Sequence, residues 1–173
     1  MIYNHIAVAV DESNTSLLAL KHAASLSKVT GAKLSIITVI NPTEFMALTP
    51  ETMQQGNYQE AANTLGRKIL ENAKAVAQET STENISLELI ISTQGPKDMA
   101  EKLVKKAESS GADLIVLGTH GRSGLMHLLM GSFAETVMRK STLPLLIIRS
   151  RKDNKTNLSL IHISEPTRPR LIS

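Results

Sequence analysis

The sequence predicts an α/β protein: a single-domain, open, doubly wound sheet of five parallel strands with helices on both faces. Three observations predict it. Short runs rich in Val, Ile and Leu alternate with longer segments whose apolar residues recur every three or four positions, the pattern of βαβ units and a parallel sheet. Glycine, proline or asparagine punctuates most of the junctions. A chain of 173 residues, 42% of them hydrophobic, is long enough to bury one sizeable core.

Ile6 to Val10 (IAVAV) is the first strand, leading into Asp11. From Ser13 to Val29, Leu17, Leu20, Ala24 and Leu26 or Ser27 recur at helical spacing, and Gly31 is placed to cap this first crossover helix. Lys33 to Ile40 (KLSIITVI) is the second strand, closed by Asn41 and Pro42. The stretch from there to about Asn57 holds Pro42, Pro50 and Gly56 and has little periodicity. Its length marks it as a candidate lid or binding loop, with Phe45, Met46 and Met53 available to cover a ligand. In the next helix Ala62, Leu65, Ile69, Ala73 and Val76 form one apolar stripe, while Arg67, Lys68, Glu71 and Lys74 face water.

Ser86 to Ser92 is the third strand. Pro96 suits the first turn of a helix that runs to Ser110, and Gly111 ends it. Asp113 to Gly118 (DLIVLG) is the fourth strand, Ser132 to Lys140 a short helix, and Leu143 to Arg149 (LPLLIIR) the fifth strand, expected at a sheet edge. Right-handed crossovers complete the doubly wound arrangement. The domain therefore spans residues 1–149. Residues 150–173 lack any helical or strand period, and the SLIHISEPTRPRLIS portion resembles translated vector sequence, so the expectation is a disordered or vector-derived tail.

Charge separates along the same line. The chain has 19 Lys+Arg against 16 Asp+Glu, but the whole excess lies after Arg149, where Arg151, Lys152, Lys155, Arg168 and Arg170 face only Asp153 and Glu165. A neutral body lacks the electrostatic footprint of a phosphate-backbone binder, so nucleic acid is not an expected partner. The chain has no Cys, which excludes a disulfide framework and a thiolate metal site. Residues 2–10 are apolar but lack a basic leader, and no run reaches membrane-spanning length, so the expectation is a cytoplasmic protein with no membrane association.

The chemistry concentrates after the fourth strand, in GTHGRSGLMHLLMGS, which places Gly118, Gly121, Gly124 and Gly131 in one turn before a helix. Glycines permit positive φ and remove the Cβ that would hold a ligand away, so consecutive N–H groups can converge on an anion. A helix start adds unpaired N–H groups and partial positive charge, and phosphate is the natural occupant. Ligands of open α/β sheets bind beyond the carboxyl ends of the strands where chain direction diverges. Asp11 lies there too; its carboxylate can accept from ribose hydroxyls or a base amine but repels phosphate. GxxxxGK[ST] is absent and the first strand lacks GxGxxG, so neither a P-loop nor a dinucleotide fingerprint is present.

Gly118, Gly121, Gly131 and Ser132, spaced by two and then nine residues, together with the strand ending at Asp11, TVI, ADLIVLGTHGRSG, GSFAETV and STLPLLIIR, resemble the ATP-binding branch of the universal stress protein family over residues 1–149. The resemblance implies a Rossmann-like, adenine-nucleotide α-hydrolase-like fold that binds ATP, with Mg²⁺ or Mn²⁺ as the nucleotide's counter-ion. It implies that Ala9, Val10, Asp11 and Val39 line the base and ribose end, and that Leu117 and Gly118 lie by the ribose. Backbone N–H groups of Gly121, Arg122, Gly131, Ser132 and Phe133 would hold the phosphates, helped by the Ser132 hydroxyl. It also implies a homodimer formed through Leu143 to Arg149. Where relatives often carry Pro or Thr before the aspartate, this chain has Ala9 and Val10, so that side-chain contact is not carried over.

Simpler roles compete for the same residues. Ser132 can cap the last helix, and Asp11 can cap the first, although Ser13 offers that service and leaves Asp11 for the nucleotide. His120 and His127 lack the partners that a metal site needs, and no residue is assigned a catalytic role. Met126, Met130 and Met138 sit at helical steps and suit packing. The leading expectation is an ATP-binding, dimeric regulator in the stress response. The alternative is a slow ATP hydrolase or phosphotransferase at the same site, for which no carboxylate base is evident near the phosphate end. A flavoprotein or adenylating enzyme is disfavoured, because the first strand leads into DESNTS rather than an SGGxDS loop.

Overall fold

The computed structural model describes residues 2–43, 58–80, 83–119 and 130–149. Five strands, β1 (His5–Ala9), β2 (Lys33–Ile40), β3 (Ile85–Ile91), β4 (Leu114–Gly118) and β5 (Leu145–Ile148), form one sheet in the order β3-β2-β1-β4-β5. Every pairing is parallel, as the alternation of strand and helix predicts. Helices α1 (Asn14–Thr30) and α2 (Tyr58–Glu79) cover one face; α3 (Gly95–Ser109) and α4 (Ser132–Lys140) cover the other.

Period-2 alternation divides the strand side chains between two cores. Ile6, Val8, Leu34, Ile36, Leu114, Val116 and Ile148 pack with Leu20, Ile69 and Leu70 of α1 and α2. Ala7, Ile37, Ile115 and Leu117 pack with Leu103, Val104 and Val137 of α3 and α4. The strand order puts the divergence between β1 and β4: the chain leaves β1 toward β2 and β3, and leaves β4 toward β5.

Most boundaries fall within one residue of the expected ones, and the departures have local causes. The first strand ends at Ala9 rather than Val10. β5 begins at Leu145 rather than Leu143, since Pro144 has no N–H to give, although its carbonyl still accepts from Ile115 at 3.0 Å. In α1 the buried face is Ala19, Leu20, Ala23, Ala24 and Ser27, while Leu17 is 39% exposed. Small residues carry that face because α1 lies close against both β1 and β4. Gly31 closes the helix in the left-handed region at φ 70°, the conformation that favours glycine.

At the far edge, Ser92 is fully buried and its hydroxyl donates to Asp98 Oδ2 at 2.5 Å in the first turn of α3. That hydrogen bond, with Lys102 beside it at 3.2 Å, holds the Asp98 carboxyl below its usual range. Among the described residues no helix is long and apolar enough to cross a membrane.

Candidate functional site

The divergence point is built from the ends of β1, β2 and β4 and the start of α4. At the end of β1 the backbone is fully committed. Val10 N–H donates to the Ile37 carbonyl at 2.9 Å, and the Val10 carbonyl accepts from the Thr38 hydroxyl at 2.9 Å. The Asp11 N–H donates to Ser16 Oγ at 2.7 Å, and that hydroxyl turns back to the Asp11 carbonyl at 3.3 Å. Ser13 caps α1 by accepting from the Ser16 N–H at 3.2 Å. Asp11 is thus spared the capping role, but its Oδ1 accepts the Ser13 N–H at 2.8 Å. The carboxylate is thereby oriented, with Oδ2 uncommitted among the described residues.

Across the divergence, Gly118 ends β4. Its backbone is not in the left-handed region, and the reason for glycine is proximity: a Cβ there would lie 2.8 Å from Thr15 Cγ2 and 3.1 Å from the Thr15 carbonyl carbon. Helix α1 rests directly on the end of β4. Thr119 then donates its N–H to the Ile148 carbonyl at 2.9 Å and accepts the Gly131 N–H at 2.9 Å. That last bond returns the chain to the end of β4 and starts α4 there.

Gly131 is the N-cap of α4, at φ −75° and ψ 156°, and Ser132 is the first helical residue. Neither Gly118 nor Gly131 therefore uses positive φ, the first of the two expected reasons for glycine in this turn, and at Gly118 the second, the missing Cβ, applies. Ser132 does not cap the helix. Because the Gly131 amide is taken by Thr119, the first-turn amides of Ser132, Phe133 and Ala134 are the ones left without an intrahelical acceptor, and they carry the positive end of the helix dipole. Glu135, the acidic residue of that turn, has its Oε1 bound to Arg139 at 2.8 Å.

Of the residues singled out from sequence, Ala9, Val10, Asp11, Val39, Leu117, Gly118, Gly131, Ser132 and Phe133 lie at the ends of β1, β2 and β4 or the start of α4. Ala9, Val39, Phe133 and Met130 pack against one core, which gives the site an apolar floor on the α3–α4 side. Leu117 is 1% exposed, so its side chain supports this floor from within the core rather than lining it. Val10 points the other way, into a cleft of about 410 Å³ between α1 and α2 that Asp11, Leu17, Lys68 and Asn72 also line. Gly121, Arg122, His120, His127, Met126, the long loop with Phe45, Met46 and Met53, and the tail lie outside the described residues. Among those described, no cluster of His, Asp or Glu is arranged to hold a metal ion.

Sequence reasoning missed Ser16, Thr38 and Thr119, whose hydrogen bonds fix the backbone at this point, and Thr15, against which Gly118 packs. Thr38 carried a signal: a hydroxyl inside an otherwise aliphatic buried strand needs a partner, and the neighbouring strand end supplies one. Ser16 and Thr15 carried none, being ordinary first-turn residues.

Comparison with known proteins places this architecture. The model of the universal stress protein family matches residues 2–149. Universal stress protein YxiE of Bacillus subtilis is 34% identical, over 86% of this chain and 100% of its own length. Universal stress protein MJ0531 of Methanocaldococcus jannaschii is 32% identical, over 87% of this chain and 85% of its own. A crystal structure of a universal stress protein in complex with cAMP superposes with a TM-score of 0.63 at 25% identity, covering 85% of this chain and 97% of that one. On the family model over residues 2–149 and these relatives, the chain belongs to the universal stress protein family.

Proposed function

We propose that this chain binds ATP, with Mg²⁺ or Mn²⁺ as the nucleotide's counter-ion, in the crevice between β1 and β4, and acts as a homodimeric regulator whose nucleotide state a partner senses in the stress response. The observation that carries the reading is the Gly131–Thr119 hydrogen bond, which sets the uncapped start of α4 against the end of β4, the neighbour of the strand that leads into the oriented Asp11. Asp11 Oδ2 accepts from ribose or base donors. Ala9 and Val39 give the base an apolar wall, and Gly118, by letting α1 close on the end of β4, positions the turn that aims Asp11 at the ribose. The amides of Ser132 and Phe133, with the Ser132 hydroxyl, take phosphate oxygens; Gly131 contributes position rather than a donor. Gly121 and Arg122 supply further phosphate contacts. A family member crystallised with cAMP supports the adenine reading.

Ligand that binds only the folded state stabilises it by mass action, about 2.7 kcal/mol at a hundredfold excess over Kd. For a domain of this size millimolar MgATP is expected to raise the thermal midpoint by about 5–10 °C. Unchanged midpoints, together with no nucleotide released on denaturing fresh protein, would refute the proposal.

The dimer reading rests on the unequal edges of the sheet. Edge strand β3 carries Glu88 at mid-strand, paired with Lys106 at 3.0 Å, a charge that discourages further pairing. Edge strand β5 is Leu-Leu-Ile-Ile, with only Ile148 buried. Sedimentation at micromolar concentration is expected to show a dimer, and Ile147→Lys a monomer. A monomeric parent chain would overturn this part.

A further inference from the structure

At the opposite end of the sheet from the nucleotide crevice, three polar side chains cross three adjacent strands. His5 on β1 is 7% exposed and its Nε2 lies 2.6 Å from Ser35 Oγ on β2, where Ser35 is 2% exposed. Ser35 Oγ lies 2.7 Å from Ser86 Oγ on the edge strand β3, and Ser86 is partly exposed. Such a chain inside an otherwise aliphatic sheet costs desolvation, and none of it serves the proposed nucleotide site.

The tautomer of the neutral ring sets the direction of this chain. The backbone carbonyls of Ser110 and Gly111, at the end of α3, favour a proton on the imidazole, and a neutral ring protonated at Nδ1 presents Nε2 as an acceptor. The Ser35 hydroxyl then donates to Nε2, and Ser86 donates to Ser35. When His5 gains a second proton, Nε2–H must donate to Ser35, Ser35 must donate to Ser86, and the Ser86 hydrogen is turned out to solvent at the sheet edge. Each bond survives with donor and acceptor exchanged, so the charged form needs no unfolding. We propose that His5, Ser35 and Ser86 form a proton-driven relay that transmits the protonation state of a buried histidine to the exposed edge of β3.

The charges around His5 set where it responds. Burial and the Lys33 ammonium on β2 hold its pKa below the ordinary 6.5, against the Ser110 and Gly111 carbonyls and the Asp113 carboxylate, which pull upward. Asp113 is itself bound to the His5 and Asn4 amides, at 3.1 and 2.8 Å. Farther along this face Glu88 of β3 and Lys106 of α3 neutralise each other. The unfolded chain protonates this histidine near 6.5 and the folded chain only below it, so the contribution to stability is full above 6.5 and declines as pH falls through that window.

The test is a pH titration of isotopically labelled protein followed by NMR. The relay requires neutral His5 to be the Nδ1–H tautomer, with a midpoint below 6.5, and the Ser86 resonances to move with that same midpoint. Ser35→Ala cuts the chain in the middle: His5 should still titrate while Ser86 loses the transition. Lys33→Met leaves the chain whole and should raise both midpoints together, which keeps the relay testable should Ser35→Ala fail to fold. A Ser86 transition that persists in Ser35→Ala, midpoints that separate in Lys33→Met, or a Ser86 that never responds would each overturn the relay.

Discussion

Gly118→Ala is expected to destabilise the protein by about 1–3 kcal/mol, the usual cost of overpacking a close contact. The backbone itself tolerates alanine, since Gly118 is not at positive φ, and in isolation the loss of a glycine would stabilise slightly by restricting the unfolded chain. The cost comes from helix α1. A new Cβ meets Thr15 Cγ2 at 2.8 Å and the Thr15 backbone at 3.1 Å, so either α1 lifts from the end of β4 or the strand end bends away. Either movement displaces the Ser13–Ser16 turn that orients Asp11, so nucleotide affinity should fall along with stability. Urea unfolding measures the first effect. Combining the change with Thr15→Ser removes the nearest atom and should restore part of the loss, because the two sites share one contact. Full stability in Gly118→Ala would show that this glycine serves the ligand and not the helix.

Ser132→Pro should do the reverse, keeping the fold and losing the phosphate. Proline is tolerated at the first position of a helix, where its missing N–H had no intrahelical partner. The preceding residue must be extended, and Gly131 already is, at ψ 156°. Stability should therefore change by less than about 0.5 kcal/mol. The substitution deletes the amide and the hydroxyl that the proposed site directs at phosphate. Hydrogen bonds to charged groups are each worth about 1.5–3 kcal/mol, so ATP affinity should fall by at least about tenfold. Calorimetry on the parent and the variant reads the difference directly. Equal affinities would remove the start of α4 from the phosphate site.

The two substitutions separate what the sequence revealed about the glycine turn from what it concealed. The spacing from Gly118 to Ser132 was legible because a motif of small residues before a helix has few physical uses. Its division of labour was not. Gly118 looks the same in sequence whether it admits a ribose or a helix, and only the docking of Thr15 in the first turn of α1, far earlier in the chain, decides that α1 occupies the space. Likewise nothing near Gly131 announces that its amide is spent on Thr119, because that bond depends on where the chain returns after the turn. His5 gave no signal either: a histidine opening a strand is unremarkable until Ser35 and Ser86 are found in line with it.

By the resemblance of its motifs the sequence identified the family, and by itself it determined the order and type of the elements and a parallel sheet with β5 at an edge. Those follow from periodicity, punctuation and local spacing, which act between residues close together along the chain. The tertiary structure decided which face of α1 is buried, which amides at the start of α4 remain unspent, how Asp11 is aimed, and which hydroxyls hold the strand ends in place. Such assignments are competitions for a limited number of hydrogen-bond partners and a limited volume between residues distant in sequence, and they are settled only when the helices close on the sheet.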